Sequence, residues 1–369
     1  SQREVILASL ERRGLTDRFE IEPLFADVPG WYHARRVHNM LPAIDIDFVV
    51  PFDTGELGAT ADNVNKLSKN TAWRRVVYPA ALEAKVARLR ATAAISQIVD
   101  EWISVDTHGE LVDAINQVRL GSFAKAIITS SVAIEKADAV IEAIGVLELD
   151  PHAGIVGGPL VHDDGAIQNL GLMAGLDGFV GTPFFGWPIE SCPPHLVKVR
   201  RPVAAFPAMA LCIRADVLRS GVKFTGIDHE DARAGIELCL AASRLGYRII
   251  LDSRLSAKVA HDLRQFVGAG TPWRSRMLAE YSELLSSRGF STHLTAIGTR
   301  FGRLADPTEA ASSTMLSLSP AIPLRLVISP ELSMLPTINV LLPAVRKESL
   351  SGGPNTALNL AYRLAVIGH

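Results

Sequence analysis

The sequence predicts an α/β protein with a mixed, mainly parallel sheet flanked by helices. Short apolar segments alternate along the chain with segments whose apolar residues recur at helical spacing, as in doubly wound α/β domains. The 369 residues are 48% hydrophobic and 21% charged. This composition excludes a disordered chain and provides enough apolar side chains for a large core.

The individual elements follow from local patterns. The run AIDIDFVVPF (43–52) ends at a proline and predicts a buried parallel strand. Residues 108–120 predict a helix, because Leu111, Ile115 and Val118 share one face. Further predicted strands are VVY (76–78), ISV (103–105), AKAIITSSV (124–132) and YRIILD (247–252), and further helices cover 137–147 and 231–245. Residues 202–218 predict a strand that runs into a helix.

Composition and charge exclude several protein classes. The formal charge of −2 argues against nucleic-acid binding, which usually needs a basic face. Three scattered cysteines give no disulfide framework and no zinc motif, which favours a reducing, cytoplasmic location. The longest apolar stretches, 202–213 and 338–345, are shorter than the roughly 18 residues that a membrane span needs. No transmembrane segment is therefore expected, and peripheral attachment to the inner membrane is left open.

Changes in pattern divide the chain into four segments. Residues 1–42 read as an N-terminal extension, 43–262 as the α/β domain, 263–336 as a helical region with a linker, and 337–369 as the start of another domain. The extension carries an aromatic and basic patch, WYHARR (31–36), for which two interpretations remain. The patch either packs against the domain or contacts an anionic ligand.

Five segments occur in a characteristic order: IDFVVPFD, VDAIN, GIVGGPLVHDDGAIQNLG, PVAAFPAMALCIRADVL and GIELCLAASRLGYRIILDSRLSAKVAHD. In this order they resemble the family 2 glycosyltransferases of the GT-A fold over about 43–262. The resemblance implies transfer of a sugar from a nucleotide-diphosphate donor to a glycan or lipid-linked acceptor in bacterial cell-surface polysaccharide synthesis. Such chemistry needs charge to match the diphosphate and a carboxylate base for the acceptor hydroxyl.

The resemblance also assigns donor-binding positions. The residues that match them are Pro51, Phe52, Asp53, Asn116, Ser130 and Ser131. The family's metal-binding Asp-x-Asp motif corresponds to Thr129-Ser130-Ser131, and hydroxyls are poor ligands for Mn²⁺ or Mg²⁺. We therefore expect weak or no divalent metal binding at this strand end. His261 is a weaker metal candidate, which a structural hydrogen bond explains equally well.

The family's catalytic acids fall on Ala234-Gly235, so the base must come from elsewhere. The nearest upstream acids are Asp228, Glu230 and Asp231. One of them supplies the base if the loop before the helix is shifted relative to the family pattern. Otherwise all three are solvated acids whose charge favours the start of a helix. On the acceptor side the candidates are Asp164, Gly165 and Trp187, although an Asp-Gly pair also suits a plain turn. The Asp45-Ile46-Asp47 sequence lies at the wrong end of its strand for a metal site.

The last segment, 338–369, resembles the opening of a GT-B glycosyltransferase, closest to bacterial rhamnosyltransferases. Its glycine loop, with Gly352 and Gly353, would place backbone N–H groups beside a phosphate at a helix start. The resemblance implies a further C-terminal module, and a homo-oligomer is the other expected partner.

Two functions follow from these observations. The chain is either an active glycosyltransferase or a catalytically degenerate GT-A domain that positions an acceptor for an active GT-B module. A nucleotide-binding dehydrogenase fits poorly, because no predicted strand leads into G-x-G-x-x-G.

Overall fold

The structure is a computed structural model. It describes residues 2–26, 30–37, 43–50, 58–67, 73–174, 179–192, 194–225, 233–259 and 272–285. The chain divides into two compact units, Ser1–Thr314 and Met315–His369, and every described residue belongs to the first. The predicted strand, glycine loop and helix at 338–369 lie outside the described residues.

The described elements match most of the predicted alternation of strands and helices. The strands β1 to β16 are, in order, Phe19–Pro23, Tyr32–Arg36, Ile44–Val49, Trp73–Pro79, Glu101–Val105, Ala124–Thr129, Val132–Ile134, Ala153–Gly157, Leu160–His162, Ile167–Asn169, Met173–Ala174, Val180–Gly181, Arg201–Val203, Ala210–Arg214, Arg248–Leu251 and Ala257–Val259. The helices α1 to α11 are Gln2–Arg12, Gly58–Leu67, Glu83–Arg90, Ala93–Ser96, His108–Asn116, Ala139–Leu149, Pro194–Val197, Ala215–Arg219, Arg233–Arg244, Pro272–Glu280 and Ser282–Leu285.

The central feature is an eight-stranded sheet in the order β13-β15-β8-β14-β6-β3-β4-β5. Neighbours β6, β3, β4 and β5 run parallel, as do β15 and β8, whereas β14 and β13 run antiparallel to their neighbours. Helices α5, α6, α8 and α9 contact these strands and bury their apolar faces in one core. The predicted mixed, mainly parallel α/β fold is therefore confirmed.

A second, four-stranded sheet has the order β10-β9-β16-β7. The predicted strand at 124–132 is divided between the two sheets. Its first part, up to Thr129, is β6 of the central sheet, and Val132 belongs to β7, where it pairs with Val259 of the second sheet. The change of sheet occurs at a turn formed by Ser130 and Ser131, and neither glycine nor proline marks it in the sequence. Among the described helices, none is long and apolar enough to cross a membrane.

A buried ion network joins strands β3, β4 and β6. Arg75 donates two hydrogen bonds to the Asp47 carboxylate, each 2.7 Å long, and Lys125 Nζ lies 2.5 Å from Asp47 Oδ2. Arg75 also donates to the Ala114 carbonyl and Lys125 to the Gln117 carbonyl, both at 2.6 Å. Carbonyls at a helix C-terminus lack partners within the helix. The network therefore terminates α5 at residue 116, four residues before the predicted end of this helix.

The N-terminal segment contains helix α1 and the antiparallel hairpin β1-β2. Strand β2 packs against α6 through charged side chains. Arg35 Nε donates to Glu142 at 2.9 Å, and Arg36 Nε donates to Glu148 at 2.7 Å. Arg36 is only 1% exposed, so these two arginines of the patch serve packing.

Candidate functional site

The order of the strands predicts a ligand-binding crevice at the carboxyl edge of the central sheet. From β3 the chain proceeds outward to β4 and β5, and it then returns to the other side of β3 as β6. Adjacent parallel strands whose connections leave in opposite directions form a crevice at their carboxyl ends, where α/β proteins bind ligands. Here the topology predicts the crevice between the end of β3 at Val49 and the end of β6 at Thr129.

The backbone at this crevice is held by hydrogen bonds from both neighbouring strands. The Ser130 N–H donates to the Val49 carbonyl at 3.0 Å, and the Thr129 N–H donates to the Met209 carbonyl at 2.9 Å. The Thr129 and Ser131 hydroxyls lie 2.6 Å apart and are hydrogen-bonded to each other. Thr129 and Ser130 are buried, whereas Ser131 is half-buried. Ser131 is thus the more accessible of the predicted donor-binding serines.

The side chains at this strand end do not fit a divalent cation. Hard cations such as Mg²⁺ need several oxygen ligands and usually one or more carboxylates. The positions that match the metal motif supply the hydroxyls of Thr129, Ser130 and Ser131. Across the described ranges, no group of three or more His, Cys, Asp or Glu side chains is arranged to hold a metal ion.

A buried asparagine that the sequence reading missed connects the two sides of the crevice. Asn63 of α2 donates to the Val132 carbonyl at 2.9 Å and accepts from the Ile134 N–H at 2.8 Å. Lys66, one turn later, donates to the Ile134 carbonyl at 2.8 Å. These bonds fix β7, and with it the Ser130-Ser131 turn, relative to the helix that follows β3. The local sequence NVNKL offers no signal for this role.

The predicted donor-binding residue Asn116 lies at the other edge of the sheet, at the end of α5. Its side chain donates to the Phe224 carbonyl at 3.0 Å and accepts from the Phe224 N–H at 2.8 Å. This pair of bonds fastens the segment that follows α8. The structure therefore gives Asn116 a structural role, and contact with a donor stays a prediction.

The three acceptor-side candidates lie together beyond the second sheet. Gly165, with φ of +87°, occupies the turn between β9 and β10. The Ala166 N–H donates to Asp164 at 2.9 Å and, with His162, holds the Asp164 pKa below its usual value. The Ile167 N–H donates to the Trp187 carbonyl at 2.8 Å. A connected turn therefore brings Asp164, Gly165 and Trp187 into one surface region.

The start of α9 leaves no room for a side chain at Gly235. A Cβ atom at Gly235 would lie 2.4 Å from both the Ala208 nitrogen and the Phe206 oxygen. The backbone before β14 therefore occupies the space that an acidic side chain at position 235 would need. The acid further along the helix, Glu237, accepts hydrogen bonds from Thr225 at 2.7 Å and Arg276 at 2.6 Å.

The remaining predicted site residues lie outside the described part of the chain. They are Pro51, Phe52, Asp53, Asp228, Glu230, Asp231, His261, Gly352 and Gly353. The Asp45-Ile46-Asp47 sequence is described, and its acids bind protein groups: Asp45 accepts from the Arg119 N–H at 2.9 Å, and Asp47 belongs to the ion network.

No protein-family model and no curated protein matches the chain. Among solved structures, the chain is similar to the mannosyltransferase PcManGT from Pyrobaculum calidifontis in complex with GDP-Man and Mn²⁺, at 12% identity and a TM-score of 0.41 over 84% of each chain. It is similar to GalNAc-T7 with UDP, GalNAc and Mn²⁺ at 11% identity and a TM-score of 0.46, covering 74% of this chain and 56% of that one. S. aureus TarS 1–349 in complex with UDP-GlcNAc gives 11% identity and a TM-score of 0.44, covering 70% of this chain and 71% of that one.

Proposed function

We propose that this chain is a glycosyltransferase-type protein that binds a nucleotide-diphospho-sugar at the carboxyl edge between β3 and β6. The observation that carries the proposal is the reversal of strand order at β3, which opens a crevice where α/β proteins bind nucleotides. The order of the sequence motifs over 43–262 supports the same assignment and implies a GT-A-like domain of bacterial surface-glycan synthesis. The acceptor is then a glycan or a lipid-linked sugar.

Each requirement of the chemistry can be assigned to a part of this edge. The half-buried Ser131 hydroxyl is the group that we assign to hydrogen bonding with the donor, since the Thr129 and Ser130 N–H groups already donate within the protein. Because Thr129, Ser130 and Ser131 carry no charge, the charge that balances the diphosphate must come from outside β6. The acids proposed as the base, Asp228, Glu230 and Asp231, immediately precede α9. No step is assigned to a metal ion.

Calorimetry on the full chain tests donor binding. UDP-GlcNAc, UDP-GalNAc, GDP-mannose and dTDP-rhamnose would each be titrated with and without Mn²⁺. We expect at least one to bind without Mn²⁺, and Ser131→Glu to weaken that binding at least about ten-fold through repulsion of the diphosphate. Ser220→Glu places the same charge at the opposite sheet edge and is the matched control. The proposal fails if none of these donors binds, or if the two variants behave alike.

A second candidate function is a non-catalytic GT-A-like domain that positions an acceptor for another module. The packing at Gly235 favours it, because the neighbouring backbone leaves no room for a side chain at this one of the two positions, Ala234 and Gly235, that match the family's catalytic acids. Under this alternative the chain still binds a sugar ligand but does not activate an acceptor hydroxyl.

Substitution of the three upstream acids distinguishes the two candidates. Loss of a general base lowers a rate by about 10²–10⁴. Asp228→Asn, Glu230→Gln and Asp231→Asn would be assayed singly in the full-length protein with the donor that calorimetry identifies. Asp163→Asn, an exposed acid in the β9–β10 turn, is the control. A large loss in one variant favours catalysis, and turnover near the parental rate in all three favours the positioning role.

A further inference from the structure

A cavity of about 560 Å³ lies between the N-terminal hairpin and the carboxyl edge of the central sheet. We call it the hairpin cavity; it is lined by parts of β1 and β2, by residues 197–200 and by residues 252–254. Its volume is within the roughly 300–1,000 Å³ typical of small-molecule sites. Asp252 directly follows β15, so the hairpin cavity opens at the same sheet edge as the proposed donor crevice. The described donor-site residues Ser130 and Ser131 do not line it.

Arginine side chains neutralise the acids around the hairpin cavity. Asp252, whose side chain is 2% exposed, accepts from Arg200 Nε at 2.7 Å. Glu22 lies 3.2 Å from Arg35 and 3.8 Å from Arg254. These acids are therefore already paired within the protein, and they leave little negative charge to repel an anionic ligand.

Two exposed lysines add positive charge to the lining. Lys136 follows β7, and Lys198 lies in the segment before β13. Within the described ranges, neither ammonium group has an acidic partner. Because each group is solvated and mobile on a long side chain, it can approach a ligand anion without breaking an existing ion pair.

The hairpin also presents an indole ring to the hairpin cavity. Trp31 is 51% exposed although it is a large apolar side chain. Its ring makes an edge contact with Phe25, with 6.5 Å between the ring centroids, and its carbonyl accepts from the Leu24 N–H at 2.8 Å. The indole is therefore held by the hairpin and still offers ring surface to a ligand.

A neutral imidazole completes the polar wall. Both ring nitrogens of His33 lie within 3.1 Å of Arg254 Nη2. Burial, followed by the charges of Arg254 and Arg200, lowers the His33 pKa to about 4. At neutral pH this side chain therefore contributes hydrogen-bonding capacity without charge.

We propose that the hairpin cavity binds an anionic saccharide, a sugar that carries a phosphate or a carboxylate. The Trp31 ring would pack against the C–H groups of a pyranose, while Lys136 and Lys198 bind the anion. An inorganic anion would make no use of the indole, and a neutral sugar would make no use of the lysines. This site is separate from the proposed donor crevice, and its occupation does not require that the chain transfers sugar.

Calorimetry at low ionic strength on the full chain tests the proposal. The probes are mannose 6-phosphate and trigalacturonic acid, their neutral counterparts mannose and maltotriose, and inorganic phosphate. We expect one or both acidic saccharides to bind at least about ten-fold more tightly than the neutral sugars and than phosphate. The preferred acidic probe identifies the anion that the site takes.

Variants then locate the binding. Trp31→Ala, Lys136→Gln and Lys198→Gln should each weaken it about five-fold, whereas Lys85→Gln, at an exposed lysine of α3, should leave it unchanged. The lysine substitutions do not touch the hairpin core, and melting curves verify that each variant is folded. The proposal is overturned if no acidic saccharide binds at about 10 mM, if phosphate or a neutral sugar binds equally well, or if Lys85→Gln has the same effect as the cavity variants.

Discussion

The two ends of strands β3 and β6 differ in how their polar side chains are satisfied. Within the strands, before their carboxyl ends, Asp47 of β3 and Lys125 of β6 are buried and paired with each other, and Asp47 also pairs with Arg75. At the carboxyl ends, Thr129 and Ser131 present uncharged hydroxyls that bond to each other. The charged end fastens the sheet to α5. At the uncharged end, the charges that the proposal needs to balance a bound diphosphate must come from other segments.

This comparison also shows why a motif has to be read together with its place on a strand. An Asp-x-Asp sequence occurs at Asp45-Ile46-Asp47, yet its acids bind Arg119, Arg75 and Lys125 inside the protein. The carboxyl end of β6, where we propose that the donor binds, instead carries Thr129-Ser130-Ser131. At residues 45–47 the Asp-x-Asp pattern serves the protein's own structure. The resemblance implies a metal-binding role for this pattern only at the carboxyl end of a strand, at the positions of residues 129–131.

The largest expected effect is the loss of the ion network. Asp47→Ala leaves two buried cations without their carboxylate and should lower the free energy of unfolding by about 3–5 kcal/mol. Ser131→Ala, at the other end of β6, removes one hydroxyl hydrogen bond and should cost about 1 kcal/mol or less. Urea unfolding of both variants measures the difference, and comparable losses would contradict the assigned roles of the two ends.

A second expected effect is a pH dependence that originates at the hairpin. Because the His33 pKa is lowered from 6.5 to about 4 in the folded protein, the unfolded chain takes up a proton first as the pH falls. Neutral His33 therefore makes its full contribution to the free energy of unfolding above pH 6.5. As the pH falls toward about 4 this contribution is lost, and the free energy of unfolding decreases by up to about 3 kcal/mol.

The variant His33→Gln should flatten the unfolding free energy across this pH range. His152→Gln, at an exposed histidine between α6 and β8, is the control. An unchanged slope in the His33 variant would show that another group causes the pH dependence.

The close packing at α9 predicts a smaller effect. Gly235→Ala places a Cβ atom against the backbone of Phe206 and Ala208, so it should cost about 1–3 kcal/mol through overpacking. Gly109→Ala, in the first turn of α5, meets nothing closer than Thr107 Oγ1 at 3.9 Å and should stabilise the helix by up to about 1 kcal/mol. Thermal melts measure whether each variant is less or more stable than the parent. If Gly235→Ala leaves the melting temperature unchanged, the packing argument for a non-catalytic domain fails.

The sequence predicted the elements whose signal is local. Periodicity located α6 at 139–149 and β15 at 248–251 to within two residues, because apolar spacing reports burial directly. The hairpin β1-β2 was missed, since its strands FEIEP and YHARR are rich in charge. Half-buried Arg35 and buried Arg36 are paired with Glu142 and Glu148, more than 100 positions away, and such pairing leaves no local pattern.

For the candidate site too, the sequence predicted the features with a local signal and missed the contacts between residues far apart in the chain. The alternation of strands and helices placed 129–131 at a strand end, and in the structure Thr129 at this end pairs with Val49 at the end of β3. The contact between Asn63 and Val132 of β7 joins residues 69 positions apart, and the exclusion of a side chain at Gly235 depends on residues 206–208, more than 25 positions earlier. Spacing along the sequence carries no information on either contact.

The most direct test of the central claim is the location of the bound nucleotide. Hydrogen–deuterium exchange of the full chain would be compared with and without a saturating concentration of the nucleotide sugar that calorimetry identifies. We predict protection concentrated at the carboxyl ends of β3 and β6, in peptides that include Val49–Val50 and Thr129–Val132, with little change at Asn116 and Phe224. Protection at the amino-terminal edge, with none at the β3–β6 crevice, would contradict the account.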